Sequence, residues 1–134
     1  RLRQVARDFD LGAADVQVAS QMAQRILQGE GAWAWDTTVI DWADSEVEIS
    51  DAGALLRIDR LVRRRDSGEW WVLDHKSSAQ PEANAELRAQ LLRYGRVVRE
   101  SLGMQAAGAA VRCAFLAGNG ALIEVLEGAQ SSGI

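Results

Sequence analysis

The apolar residues of the chain follow two different spacings, one typical of helices and one typical of strands. The helical spacing occurs in residues 13–28 and in residues 82–102, and each of these segments is followed by a glycine. The apolar face of the second segment is formed by Leu87, Leu91, Tyr94, Val98 and Leu102. These patterns predict two helices.

Five shorter segments have the alternation or the residue types of strands. They are residues 45–50, 54–63, 69–76, 111–117 and 121–126. Turn-forming residues separate the second strand from the third, and the fourth from the fifth. The order of helix, three strands, helix and two strands predicts an α/β domain with a mixed central sheet flanked by helices, ending in a frayed tail over residues 128–134.

The composition narrows the class of protein. With 134 residues, 48% of them hydrophobic, we expect residues 1–134 to form a single domain with one core. No apolar run reaches the length of a membrane span. Cys113 is the single cysteine, so an internal disulfide is excluded and a cytoplasmic location is expected. One cysteine and one histidine also exclude a Cys/His zinc site or a four-cysteine iron–sulfur cluster made by this chain alone.

Charges are segregated along the chain, although the net charge is only −4. Six acidic residues lie within positions 36–51, and five arginines lie within positions 57–65. Local positive surface, rather than total charge, is what meets phosphates. We therefore expect DNA contacts from Arg60, Arg63, Arg64 and Arg65, with ordinary solvated charge as the alternative interpretation.

The candidate chemistry lies in the second and third strands. Asp74 and Lys76 are two residues apart and so share one strand face. A turn centred between residues 66 and 67 would place Asp59 directly opposite Asp74, with Cβ atoms roughly 4.5–5.5 Å apart. Two carboxylates this close repel unless a cation lies between them, and Mg²⁺ or Mn²⁺ suits such oxygen ligands. A surface hairpin whose acids are neutralised by arginines and Lys76 is the alternative.

Three groups of residues together resemble a known family. They are residues 58–62 with Asp59-Arg60, residues 71–78 with Asp74-His75-Lys76-Ser77, and Gln90 with Tyr94. They resemble the Gly-x-x-Asp-Arg, Asp-Tyr-Lys-Thr/Ser and Gln-x-x-x-Tyr motifs of RecB-type PD-(D/E)xK nucleases, and more narrowly the C-terminal nuclease domain of AddA-type helicase–nucleases. The resemblance covers roughly residues 45–126 and implies a restriction-endonuclease-like fold.

The resemblance also implies roles for individual residues. Asp59 and Asp74 match the metal-binding aspartates, Lys76 matches the catalytic lysine, and the backbone carbonyl of His75 matches a further metal ligand. Gln90 and Tyr94 match the helix motif associated with the active site and DNA, whereas without the resemblance they read as a helix edge with Tyr94 in the core. The implied cofactor is Mg²⁺ or Mn²⁺.

The sequence departs from the family pattern at three points. Leu56 stands where the family has glycine, and His75 stands where it usually has an aromatic residue. Family members often carry a metal-binding histidine far upstream, but no histidine precedes His75 here. His75 points to the opposite strand face from Asp74 and is expected to be a packed or surface residue. Glu46 or Glu48 could support the site from the neighbouring strand, although we expect both to be exposed acidic residues of that strand.

These features predict a metal-dependent deoxyribonuclease. The resemblance implies an exonuclease module of a DNA-repair helicase–nuclease, with DNA, the helicase portion of the same parent chain and a second helicase–nuclease subunit as candidate partners. The chain begins without methionine, so we expect a piece of a longer protein, or removal of a tag. Two alternatives stay open: an inactive DNA-binding or structural module of a repair helicase, and a small interaction domain whose motif match is chance.

Overall fold

The computed structural model describes residues 24–103 and 110–126. Residues 24–27 are helical, and short 3-10 turns occupy Ala32–Trp35 and Pro81–Ala83. The longer helix is α1, Ala85–Leu102. The strands are β1 (Ile40–Asp51), β2 (Ala54–Arg64), β3 (Trp70–Lys76), β4 (Val111–Ala117) and β5 (Leu122–Val125).

The five strands form one sheet in the order β1-β2-β3-β4-β5. β3 and β4 are parallel, and the other neighbouring strands are antiparallel. A parallel pair needs a crossover connection, and α1 lies between β3 and β4 along the chain. The predicted mixed sheet of an α/β domain is therefore confirmed, and it is consistent with a restriction-endonuclease-like fold.

Each face of the sheet has its own hydrophobic cluster. The helix-side cluster packs α1 against the sheet through Leu91, Tyr94 and Val98. There the backbones approach closely, because a Cβ atom on Gly95 would lie 2.4 Å from the Cys113 sulfur. The opposite cluster contains Ile26 and Ala34, so residues 24–35 cover the second face. The sheet is thus flanked on both faces, as expected for a three-layer α/β domain.

Local chemistry explains the bounds of α1. Asn84 caps the helix, because its side-chain oxygen accepts hydrogen bonds from the N–H groups of Glu86 and Leu87. Residues 81–83 form a separate 3-10 turn, so the helix begins three residues later than the predicted 82. It ends before Gly103, whose φ of 55° lies in a region that glycine tolerates.

The prediction is least accurate at β1, which begins at Ile40 rather than at residue 45. Residues 41–44 are exposed and lack a clean alternation, because β1 lies at the edge of the sheet. The predicted strands 54–63, 69–76, 111–117 and 121–126 agree with β2 to β5 within a residue. Of the predicted first helix, residues 13–23 lie outside the described residues, as does the predicted tail. No helix in the described ranges is long and apolar enough to span a membrane.

Candidate active site at the ends of β2 and β3

The pairing of β2 with β3 brings the two candidate carboxylates together. The ladder runs from Arg63 opposite Trp70 to Arg60 opposite Leu73, which is the register predicted from the turn. Beyond the last pair, the His75 backbone N–H donates a hydrogen bond of 2.9 Å to Oδ2 of Asp59. The Asp59 side chain, 22% exposed, thus lies beside the end of β3, the strand that carries Asp74.

β2 is distorted at Asp59. The neighbouring strand pairs Ser45 with Arg60 and Val47 with Ile58, but Glu46, between them, has a φ of 55° and no ladder partner. Ile58 and Leu61 both pack in the helix-side cluster, which strict alternation along a strand would not allow. Irregular strands and left-handed residues other than glycine are enriched beside active sites. The irregularity lies beside Asp59, the candidate ligand.

Asp74 carries a buried charge next to a like charge. The residue is 4% exposed, and burial raises the pKa of its carboxyl to about 7, with further contributions from hydrogen bonding and repulsion by Asp59. The Lys76 ammonium acts in the opposite direction, with Nζ 3.1 Å from Oδ2 of Asp74. That Oδ2 atom is buried and accepts no well-oriented hydrogen bond from the described part of the chain. The site is therefore short of positive charge.

This donor set fits a hard divalent cation. Asp59 and Asp74 offer carboxylate oxygens, one of them buried without a hydrogen bond, and the His75 carbonyl lies on the strand between Asp74 and Lys76. Within residues 24–103 and 110–126, no group of three or more His, Cys, Asp or Glu side chains is placed to hold a metal. Mg²⁺ commonly uses one or two carboxylates and keeps several waters, so two carboxylates suffice for that ion.

The His75 side chain lies on the opposite face of its strand from Asp74, as expected. Its ring stacks on Trp35 with centroids 6.1 Å apart and planes at 17°, and its side chain is almost fully buried. Nδ1 nevertheless lies 3.8 Å from Oδ2 of Asp59. The His75 side chain and backbone N–H therefore both restrain Asp59, while the Trp35 ring restrains His75.

Arg60 is engaged inside the protein rather than at its surface. It is 5% exposed, its guanidinium donates two hydrogen bonds to the Ala34 carbonyl and one to Ser45 Oγ, and it lies 4.5 Å above the Trp35 ring. A buried guanidinium with these partners has no surface to offer to a phosphate. The expectation of a DNA contact at Arg60 is therefore replaced by a structural role, because Arg60 fastens the 3-10 turn before β1 to the strand of Asp59.

The other three arginines lie at the opposite end of the β2–β3 hairpin. Arg63 is four residues from Asp59, roughly 13 Å along a strand. Arg63 is exposed and 3.5 Å from an Asp41 carboxylate oxygen, Arg64 pairs with Asp66, and Arg65 donates to the carbonyls of residues 37 and 40. These side chains flank the turn rather than the carboxylates.

The two residues of the predicted helix motif differ in position. Tyr94 is buried in the helix-side cluster, and burial raises the pKa of its hydroxyl, with smaller contributions from Asp74 and Asp59. Its hydroxyl group is therefore close enough to respond to both carboxylates. Gln90, one turn earlier, is exposed. Tyr94 is thus a core residue, and its expected role at the active site and on DNA stays a prediction.

Trp35 is a part of the site that the sequence analysis did not identify. Its stacking with Arg60 and His75 depends on contacts between segments distant in sequence. One signal was available: adjacent residues point to opposite strand faces, so Arg60 had to face away from Asp59 and toward the aromatic segment. Glu46 forms an ion pair with Arg57 and is not directed to Asp74 by any contact.

Comparison with known proteins agrees with this geometry. A search of curated proteins found no match. A family model described as the PD-(D/E)XK nuclease superfamily matches residues 2–128, which is nearly the whole chain. A chance match of short motifs is thereby excluded, and the expected PD-(D/E)xK superfamily is confirmed. The chain belongs to the PD-(D/E)XK nuclease superfamily.

Proposed function

We propose that this chain hydrolyses DNA phosphodiester bonds with Mg²⁺ or Mn²⁺ held between Asp59 and Asp74. The observation that carries the proposal is the buried, underneutralised Asp74 carboxylate facing Asp59, with the Lys76 ammonium 3.1 Å away. Keeping two carboxylates this close lowers the stability of the folded protein, and a bound cation would offset that cost. The His75 carbonyl is the third proposed ligand.

Each residue has a separate part in the proposed reaction. A bound divalent cation would supply positive charge at the phosphate and lower the pKa of an attacking water. Asp59 and Asp74 hold the cation, and the hydrogen bond from the His75 N–H fixes the orientation of Asp59. Lys76, 28% exposed at its side chain, reaches from the carboxylate toward solvent and stabilises developing phosphate charge. Gln90 and Tyr94 border the site from α1.

A narrower proposal concerns context. The Asp59-Arg60, Asp74-His75-Lys76 and Gln90/Tyr94 motifs support a RecB-type exonuclease module of a DNA-repair helicase–nuclease, similar to the C-terminal domain of AddA-type proteins. In that setting the chain is a piece of a larger cytoplasmic protein, with the helicase portion and a second subunit as partners. Arg63, Arg64 and Arg65 would hold the DNA backbone without reading bases.

The second candidate is a DNA-binding or structural module that no longer cleaves. It is favoured by one specific observation: the described residues supply two carboxylates and no third metal-binding side chain. Cleavage by the isolated chain or by its longer parent separates the two candidates.

The test is cleavage of labelled linear and circular single-stranded DNA with Mg²⁺, Mn²⁺ or chelator. Asp59→Asn, Asp74→Asn and Lys76→Ala should each remove cleavage, with losses on the order of 10²–10³ or more, while Asp66→Asn, at the exposed turn of the same hairpin, should not. An exonuclease should degrade linear DNA and spare the circle. Full activity of Asp74→Asn and Lys76→Ala would refute the mechanism, and an inactive parent protein that still binds DNA would favour the second candidate.

A further inference from the structure

A groove lies directly beyond Lys76, between the carboxyl end of β3 and the first turn of α1. It encloses about 540 Å³, which is within the range of roughly 300–1,000 Å³ typical of small-ligand sites. Its lining includes Lys76, Ser77, Ser78, Pro81, Ala83 and Leu87. Ligands of open α/β sheets commonly bind outside the carboxyl ends of parallel strands, and β3 and β4 end beside this groove.

The end of the groove nearest the carboxylates is suited to an anion. Lys76 is the only charged side chain among the described lining residues, and the exposed Ser77 and Ser78 follow it directly. Serine hydroxyls and an ammonium are common ligands of nucleic-acid phosphates. The Lys76 ammonium also pairs with Asp74, so this end of the groove shares its one positive charge with the carboxylate site.

The backbone that presents these hydroxyls is held in place. The Gly118 N–H donates a hydrogen bond of 3.2 Å to the Ser78 carbonyl. A Cβ atom on Gly118 would lie 2.1 Å from the Ser77 carbonyl oxygen, so only glycine permits this contact with the end of β4. A loop fixed in this way loses little conformational entropy when it binds a ligand.

The rest of the lining contains apolar side chains, Pro81, Ala83 and Leu87, together with the polar Gln80 and Asn84. Pro81 is fully buried, Leu87 packs partly against the helix-side cluster, and Ala83 is exposed at the wall. Asn84 already occupies the N–H groups of Glu86 and Leu87, so the helix end is not the anion site. The groove therefore combines an ammonium and two hydroxyls with exposed apolar surface, beside the candidate catalytic carboxylates.

We propose that this groove binds one nucleotide of the DNA strand, adjacent to the bond that is cut. Its phosphate lies at Lys76, Ser77 and Ser78, and its base packs against Leu87 and Ala83. Apolar packing accepts any base, so this contact positions the strand without selecting a sequence. The inference rests on the proposed nuclease function, because it takes the bound strand to be the substrate of Asp59, Asp74 and Lys76.

The kinetic test measures KM for DNA in a variant whose groove is filled by a larger side chain. Ala83→Phe places an aromatic ring at its wall, whereas Ala79→Phe adds the same ring to an exposed residue of the same loop that does not line the groove. Ala83→Phe, and separately the double variant Ser77→Ala with Ser78→Ala, should raise KM for single-stranded DNA about tenfold and change kcat little. Ala79→Phe should match the wild type. Unchanged KM in folded Ala83→Phe and in the double variant would overturn the proposal.

A binding test separates this inference from the nuclease proposal. Thymidine 5′-monophosphate is titrated into the metal-free chain with chelator present, and amide resonances are followed by NMR. Shifts at residues 77–87 that Ala83→Phe abolishes support the groove, even if the metal-loaded chain cleaves nothing. Absence of shifts in the wild type, or identical shifts with inorganic phosphate alone, overturns the nucleotide assignment, even if cleavage is normal.

Discussion

Asp74→Asn should stabilise the metal-free protein at alkaline pH, although it removes a proposed metal ligand. The substitution keeps the shape of the side chain and removes a charge that is buried beside Asp59. Substitutions at functional sites often stabilise in this way, because the native residue is retained for activity at a cost in stability.

The size of the effect follows from the pKa of Asp74, which is raised from 3.8 to about 7 in the folded protein. Each pKa unit corresponds to about 1.4 kcal/mol, so the ionised carboxylate costs up to about 4 kcal/mol. Below pH 4 the group is protonated in both the folded and unfolded states, and the cost is absent. Between pH 4 and 7 the unfolded state loses its proton first, so stability falls as pH rises. Above pH 7 the full cost is present.

The assay is urea unfolding of both proteins in chelator, from pH 5 to pH 8. We expect the free energy of unfolding of Asp74→Asn, relative to the wild type, to rise across this range by on the order of 2–3 kcal/mol. Asp66→Asn is the matched control, because hydrogen bonding to Arg64 lowers the pKa of that exposed carboxyl and its loss brings no gain at high pH. A constant difference between Asp74→Asn and the wild type at all pH values would refute the reasoning.

Further predictions concern the metal, the DNA and the packing behind the site. Millimolar Mn²⁺ should raise the melting temperature of the wild type and not that of Asp74→Asn in scanning calorimetry, and equal shifts would oppose a site at Asp74. Replacing residues 63–65 with alanine should weaken DNA binding equally for all sequences and flatten its salt dependence in fluorescence anisotropy, whereas an unchanged slope would remove these arginines from the interface. Trp35→Ala should destabilise the protein by about 2–4 kcal/mol in urea unfolding and Trp35→Phe by less, because Arg60 and His75 both stack on this ring. Equal losses in both variants would contradict a stacking role.

The parts of the fold that could be predicted are those set by local chemistry. The alternation in β2 and β3 and the turn between them give the register, since a strand has a period of two and a short turn fixes the pairing. The apolar face of α1 and the strand Val111–Ala117 follow from spacing in the same way. The start of β1 could not be predicted, because residues 41–44 are exposed at the sheet edge and show no regular alternation of apolar and polar side chains.

The parts of the site that could not be predicted depend on contacts between distant segments. The proximity of Asp59, Asp74 and Lys76 could be predicted because alternation and register determine which side chains meet. The burial of Arg60 could not, because it requires the Ala34 carbonyl and the Trp35 ring, which arrive from a segment before β1. Charge alone had suggested a DNA contact, but an arginine with a carbonyl, a hydroxyl and an aromatic ring as partners is satisfied internally.

The instability at Asp74 and the proposed affinity for a cation have one physical origin. In the metal-free protein, burial and repulsion by Asp59 both raise the free energy of the ionised Asp74 carboxylate. The Lys76 ammonium offsets only part of that cost. A divalent cation held by Asp59 and Asp74 would reduce the repulsion and neutralise the buried charge. Part of its binding free energy is therefore the relief of a cost already present in the folded protein. Because the relief requires ionised carboxylates, cation affinity should rise with pH through the region where Asp74 loses its proton, near pH 7.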